Sequence, residues 1–329
     1  MNFDLDGYSS TNFGNSSSEL FAKLIVNNKN KDQLVNFFLP GYFCGQSLKY
    51  LRSINVNFIF YKLTSDLLPD YEELENLAKS NRVDYFLIVH YFGRIKGQLK
   101  AAKFAQEKKT ILIEDCTHII SPLISRKWVG DFLFFSPYKH FDIPEIGFLL
   151  SKKEMNLMQN GFLNNYSWRI KKAIKKFTGY KNNSSWGTVI SGSSLNFKLK
   201  IPSIKSQERA INLMKLNKKD INNRMNEIVN LKKTLYSIPG WKPFIVFKKG
   251  DLPYLIPMIC DNKLIAKDRF NMLNIENQIV MQWPDIPIEL MQIKEIYQQT
   301  NDWVERGLFF LIPNNIDSLI LKIDKIRFT

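Results

Sequence analysis

Apolar residues in the first half of the chain come in short runs closed by polar or turn residues. Residues 35–39 read VNFFL and stop at Pro40-Gly41. Residues 57–61 (NFIFY), 85–90 (YFLIVH), 110–114 (TILIE), 131–135 (DFLFF) and 147–150 (GFLL) repeat the pattern. Several of these runs are apolar at successive positions, as in strands buried on both faces of a sheet. Segments of helical composition lie between them at 46–54, 70–80 and 98–108. The segment at 70–80 opens on acidic residues, which a helix N-terminus favours. Alternating strands and helices predict an α/β domain built on a mostly parallel sheet sandwiched by helices.

The second half has another texture. Residues 203–237 carry Ile211, Met214, Leu216, Ile221, Met225, Ile228, Leu231 and Leu235 at helical intervals and stop at Pro239-Gly240. This predicts one long helix. Short strands at 243–247 and 254–260, and helical segments at 263–273 and near 317–325, predict a smaller α+β unit. The expected division is a large α/β domain over 1–200 and a small C-terminal domain over 201–329.

Charge changes the picture in one place. The chain of 329 residues has a net charge of +15. Residues 1–150 hold 17 basic and 16 acidic groups, and residues 251–329 hold 8 and 11. Residues 151–250 hold 21 basic and 4 acidic groups, so the excess belongs to one segment. That argues against a uniformly basic coat for nucleic acid, and no nucleic-acid module interleaves aromatic and basic residues here. Within the segment, 168–177 (WRIKKAIKKF) spaces Ile170, Ile174 and Phe177 at i, i+4 and i+7 among lysines. Such a helix can lie on anionic lipid, but packing on its own domain is the reading preferred. A third use is to meet the diphosphate of a nucleotide sugar.

Hydrophobic residues make up 45% of the chain, enough for a core and too many for a disordered chain. Three scattered cysteines, Cys44, Cys116 and Cys260, fit a reducing compartment better than a disulfide framework. The N-terminus lacks signal-peptide features, and no apolar run is long enough to span a bilayer. A soluble cytoplasmic protein is expected.

The candidate chemistry gathers at strand ends. His90, His118 and His140 are the three histidines, and each lies at or just past the C-terminal end of a predicted strand. Asp115 closes ILIED, and Lys139 follows DFLFFSPY. Open α/β sheets bind ligands outside those ends. The histidines come from separate strands without HxH or HxxxH spacing, so no metal site is expected. The GxSxG elbow, the GxGxxG fingerprint and the P-loop are all absent. A lysine and an aspartate at neighbouring strand ends suggest a carbonyl cofactor held as a Schiff base. A buried lysine has a lowered pKa and acts as a nucleophile. Pyridoxal phosphate (PLP) needs that lysine, a carboxylate for its ring nitrogen, and hydroxyls with a helix N-terminus for its phosphate.

In order along the chain stand PGYFCG (40–45), VHYFG (89–93), IEDCTH (113–118) and GDFLFFSPYKHFDIPEIG (130–147). This set resembles the DegT/DnrJ/EryC1/StrS aminotransferases, the sugar-aminotransferase branch of fold-type I PLP enzymes. The resemblance implies that Lys139 is the Schiff-base lysine and proton shuttle, and that Asp115 pairs with the pyridinium nitrogen. It implies that His118 approaches the ring hydroxyl and that Ser136 contacts the phosphate, with Ser16 and Ser17 near the phosphate loop. Tyr42 or Phe43 would stack on the ring, and His90 would be structural or pocket-lining. Trp283-Pro284 and Leu311-Ile312-Pro313 match small-domain landmarks, with a role in packing. The resemblance further implies a homodimer, a keto-sugar nucleotide acceptor, and an amino-acid donor such as glutamate, in surface-polysaccharide or amino-sugar synthesis. Three departures stand out. NSSSEL replaces the usual glycine-threonine helix start, the Ser136-to-Lys139 spacing is short, and the E-G-G turn reads Glu145-Ile146-Gly147. Relatives with histidine in place of the lysine dehydrate sugars, and His140 adjoins Lys139. The spacing to Glu145 and Gly147 favours Lys139 and transamination. A degenerate, non-catalytic homologue acting as a scaffold is the other alternative.

Overall fold

The computed structural model describes residues 3–29, 33–125, 127–157, 202–216, 218–248, 251–277, 280–281, 283 and 285–312. The expected features at 168–177 and 317–325 lie outside these residues.

The large sheet contains β1 (Ser10–Gly14), β2 (Val35–Pro40), β3 (Val56–Tyr61), β4 (Tyr85–Val89), β5 (Ile111–Asp115), β6 (Phe132–Phe135) and β7 (Gly147–Ser151). Their order is β1-β7-β6-β5-β4-β2-β3. Strands β3, β2, β4, β5 and β6 pair in parallel, and β7 runs antiparallel to both β6 and β1. Helices α1 (Ser17–Asn28), α2 (Tyr71–Ser80) and α3 (Gln98–Lys108) cover the sheet. Alternating strand residues go to opposite faces. Phe37, Leu39, Leu87 and Ile113 pack with Leu20, Phe21 and Leu24 of α1. Phe38, Phe86, Ile88 and Leu112 pack with Leu74 of α2 and with Ala101 and Phe104 of α3. Both faces are buried, which is why the strands read as unbroken apolar runs.

Helix starts follow from local capping. Ser16 caps α1 by accepting a hydrogen bond from the Glu19 N–H. Asp70 caps α2 by accepting from the N–H groups of Glu72 and Glu73. The helix expected at 46–54 is instead two short 3-10 turns, Gly45–Leu48 and Leu51–Ser53. Tertiary bonds hold this segment in that shape. The Gly45 N–H donates to the Asp285 carbonyl at 2.7 Å. Arg52 donates from Nη1 to the Gly45 carbonyl, and from Nε and Nη2 to the Glu289 carboxylate.

The small sheet has the order β10-β11-β9-β8 and is antiparallel throughout. Its strands are β8 (Trp241–Pro243), β9 (Leu255–Cys260), β10 (Val280–Met281) and β11 (Gly307–Leu311). The strand expected at 243–247 is therefore earlier and shorter. The long helix expected over 203–237 is two helices, α4 (Ile204–Met214) and α5 (Lys218–Tyr236). The first ends at Lys215, whose backbone leaves the helical region. From α4, Ala210, Ile211 and Met214 pack against Cys116, Ile119, Phe135 and Phe148 of the large domain. From α5, Leu231 and Leu235 join the small-sheet core with Trp241, Ile256, Met258 and Phe310. Two further helices, α6 (Lys263–Asn277) and α7 (Lys294–Arg306), complete this part. Among the described residues no helix is long and apolar enough to cross a membrane.

Candidate active site

The carboxyl ends of the parallel strands open into a cavity of about 320 Å³. Ser16, Ser17 and Ser18 at the start of α1 form one end. Asp115, Thr117 and His118 follow β5, and Ser136, Tyr138 and Lys139 follow β6. Phe43 and Cys44 follow β2. Tyr254, Met281, Trp283 and Phe309 close the cavity from the small domain.

The parallel register brings the two key strand ends together, because Asp115 lies opposite Phe134 on the adjacent strand. Asp115 is buried, and its Oδ1 accepts a hydrogen bond from the Thr117 N–H at 2.9 Å. Lys139 ends the 3-10 turn Pro137–Lys139, which Pro137 starts with its fixed φ. Its Nζ donates to the Thr117 hydroxyl at 3.2 Å. Burial pushes the Lys139 amine below its ordinary value, and the charge of Asp115 opposes this. Its neutral form is therefore favoured over that of an exposed lysine.

His118 is buried between two rings. It stacks on Phe92 at 6.0 Å and on Tyr254 at 5.1 Å. Its Nδ1 accepts from the Phe92 N–H at 3.2 Å, which assigns the ring proton to Nε2. Burial, then the charges of Lys139 and His140, push its pKa well below the ordinary value. Its imidazole is neutral at neutral pH. Gly93 makes the stack possible. Its φ of +92° is in the region that favours glycine, and a Cβ there would stand 2.5 Å from the Leu252 carbonyl oxygen. The chain before β9 passes through that gap, and the Tyr254 N–H donates to the Phe92 carbonyl.

The other end is a hydroxyl cluster at a helix N-terminus. Ser17 Oγ donates to the Phe135 carbonyl at 3.2 Å and lies 2.5 Å from Ser136 Oγ. Gly147 lets the antiparallel strand β7 press against this helix start. A Cβ at Gly147 would come 2.6 Å from the Ser17 nitrogen and 2.8 Å from the Ser16 carbonyl carbon. NSSSEL therefore begins α1 beside the cavity despite its departure from the family pattern.

The candidates at the first two strand ends separate. Phe43 lines the cavity, while Tyr42 is fully buried and stacks on Trp283 at 4.4 Å. His90 is buried behind the cavity. Its Nε2 lies 2.6 Å from Glu114 Oε2. Glu114 also accepts from the N–H groups of Val129 and Gly130 and from the Gln98 amide. Burial raises the Glu114 pKa, but the His90 hydrogen bond, the His90 charge and the other donors outweigh it, and the net shift is downward. His140 is absent from the cavity lining. Burial first, then Arg224 and Lys139, push its pKa to about 3. Thr117, Cys44 and Tyr254 line the cavity without having been singled out as site residues. Trp283, expected to act in packing alone, lines it too. The sequence signal for Thr117 was its place inside IEDCTH, two residues past Asp115.

No family model matches the sequence, and no curated protein matches it. Solved structures do match. Helicobacter pylori PseC, an aminotransferase involved in the biosynthesis of pseudoaminic acid, is 15% identical with a TM-score of 0.66, covering 98% of this chain and 87% of its own. Bacillus subtilis NtdA, with bound cofactor PMP, is 15% identical with a TM-score of 0.66, covering 98% and 74%. S. venezuelae DesV is 13% identical with a TM-score of 0.68, covering 97% and 84%. The chain shares their fold. This agrees with the fold class expected from the sequence, a mostly parallel sheet between helices with a smaller C-terminal unit.

Proposed function

We propose that the protein is a PLP-dependent aminotransferase that moves an amino group from an amino acid such as glutamate to a keto-sugar nucleotide. The observation that carries this reading is Lys139, an amine of lowered basicity in a cavity with a buried carboxylate, a neutral imidazole and a hydroxyl-lined helix start. The residues fit the cofactor. Ser16, Ser17, Ser18 and Ser136 offer hydroxyls, and α1 offers backbone N–H groups, to a phosphate. Asp115 suits the ring nitrogen, the His118 Nε2–H suits the ring hydroxyl, and Phe43 suits the ring face.

When bound, PLP supplies a carbonyl carbon that condenses with amines and a ring that takes up the electron pair of a broken C–H bond. Lys139 would hold the cofactor through its amine and, when free of it, would be the group in the cavity able to carry a proton between substrate and cofactor. Asp115 would be the hydrogen-bond partner of the ring nitrogen. His118 adds one hydrogen bond without adding charge. The roof of Tyr254, Trp283 and Phe309 limits water in the cavity.

Structures such as PseC, an aminotransferase of pseudoaminic acid biosynthesis, support the sugar-linked reading of the acceptor. In this reading the basic stretch 151–250 attracts the acceptor's diphosphate. The protein would act as a homodimer in the cytoplasm. Lys139 rather than His140 lines the cavity, and that favours transamination over dehydration. The test is an absorbance spectrum of purified protein with PLP before and after glutamate. The expected result is a visible band that glutamate alters and that Lys139→Ala abolishes. A protein that takes up no PLP overturns the reading. A band unchanged by any amino acid favours the scaffold alternative.

A further inference from the structure

Lys139 reaches the cavity on a long flexible stem, and its direction needs a cause. Among the described hydrogen bonds, its amine has one, to the Thr117 hydroxyl at 3.2 Å. Thr117 is itself fixed from the other side. It is buried, and its N–H donates to Asp115 Oδ1 at 2.9 Å. This is a local side-chain-to-backbone turn closed two residues after the aspartate. Threonine is β-branched and stiff at χ1, so pinning its nitrogen leaves its hydroxyl few positions. The carboxylate, the threonine and the amine thus form one chain of contacts across two adjacent strand ends.

We infer that Thr117 is the positioning residue for Lys139, its hydroxyl aiming the amine while its backbone N–H aims Asp115. The inference deepens the proposed cofactor reading and rests on it. Thr117 is the joint that sets the distance between the cavity's amine and its carboxylate. The hydroxyl accepts from Nζ, a contact that favours the ammonium form. Its loss makes the amine less basic. The other groups facing Lys139 are Asp115 past β5, Cys44 past β2, His118, and the adjacent His140. None of them changes when the Thr117 hydroxyl is removed.

The test compares Thr117→Val, which keeps the branch and loses the hydroxyl, with Thr117→Ser, which keeps the hydroxyl. Lys139 is acylated with acetic anhydride in protein without added PLP, across a range of pH. Peptide mass spectrometry reads its labelling against exposed lysines of the same chain. Thr117→Val is expected to lower the midpoint of Lys139 labelling by about half a pH unit or more. Thr117→Ser is expected to keep the wild-type midpoint. Coinciding midpoints for wild type and a folded Thr117→Val overturn the inference, as does a Thr117→Ser midpoint displaced like that of valine. In a second arm, PLP uptake at Lys139 slows about tenfold in Thr117→Val. A wild type that takes up no PLP overturns the cofactor reading, and the labelling arm still decides the role of Thr117.

Discussion

Replacing Glu114 by Gln tests the base on which the site stands. Glu114 is buried on β5, one residue before Asp115, and four donors converge on its carboxylate. Val129 and Gly130 donate from their backbones at 2.7 and 2.6 Å, Gln98 donates its amide at 2.8 Å, and His90 Nε2 lies at 2.6 Å. An ionised carboxylate accepts all four. A glutamine offers one oxygen, and its amide nitrogen meets two of the donors head-on. Hydrogen bonds to a charged group contribute about 1.5–3 kcal/mol each, so losing two costs about 3 kcal/mol or more. The pH dependence has a definite sign. The folded-state pKa is depressed below the ordinary value of 4.5. The stabilisation is therefore complete above that value and fades as pH falls through the folded-state pKa. Urea unfolding followed by tryptophan fluorescence measures both effects. Glu114→Gln should lower stability by about 3 kcal/mol at pH 7, and the gap to wild type should narrow below pH of about 4.5. A loss under about 1 kcal/mol at neutral pH, or a gap that widens on acidification, would refute the reasoning.

Two other perturbations address the opposite end of the cavity. In Gly147→Ala the new Cβ meets backbone atoms of Ser16 and Ser17 at 2.8 and 2.6 Å, which cannot swing aside. The expected cost is about 1–3 kcal/mol, read by thermal unfolding, with PLP affinity at least about tenfold lower in an equilibrium titration. Ser16→Ala removes the acceptor for the Glu19 N–H. It should cost about 1 kcal/mol of stability and weaken PLP binding, whereas Ser16→Asn should restore the cap in the same denaturation assay.

The central strands were legible because burial on both faces leaves no polar interruption. The runs at 57–61, 85–90 and 110–114 match β3, β4 and β5 to within one residue at each end. Strand β1 carried no such mark. Its STNFG is short and polar, and its partner lies more than a hundred residues away, at Gly147–Ser151. The 46–54 segment had helical composition, but bonds from Asp285 and Glu289 of the small domain override it. The break between α4 and α5 has neither proline nor glycine to announce it. At the site, Asp115, His118 and Lys139 stood out because each lies at or just past a strand end, whereas Ser136 was marked only by the family resemblance. Tyr42 and Phe43 could not be separated by pattern. The turn after β2 places one against Trp283 and the other at the cavity. Tyr254 and Trp283 belong to a different unit, and sequence spacing says nothing about which strand ends they meet.

The pairing of β1 with β7 also bears on the order in which the cavity can be assembled. Ser16, Ser17 and Ser18 leave the ribosome early, directly behind β1. Their docking surface, β7 with Gly147, is synthesised only after Lys139. A nascent chain that has just exposed the lysine therefore lacks the serine end of the cavity, although that end was made first. Its first strand stays unpaired until residue 151 is available, and a pairing of such long range is slow to form. In the proposed reading, cofactor capture and closure of the sheet edge would then become a single late event, and a truncation that stops short of β7 leaves the amine without the helix start across the cavity.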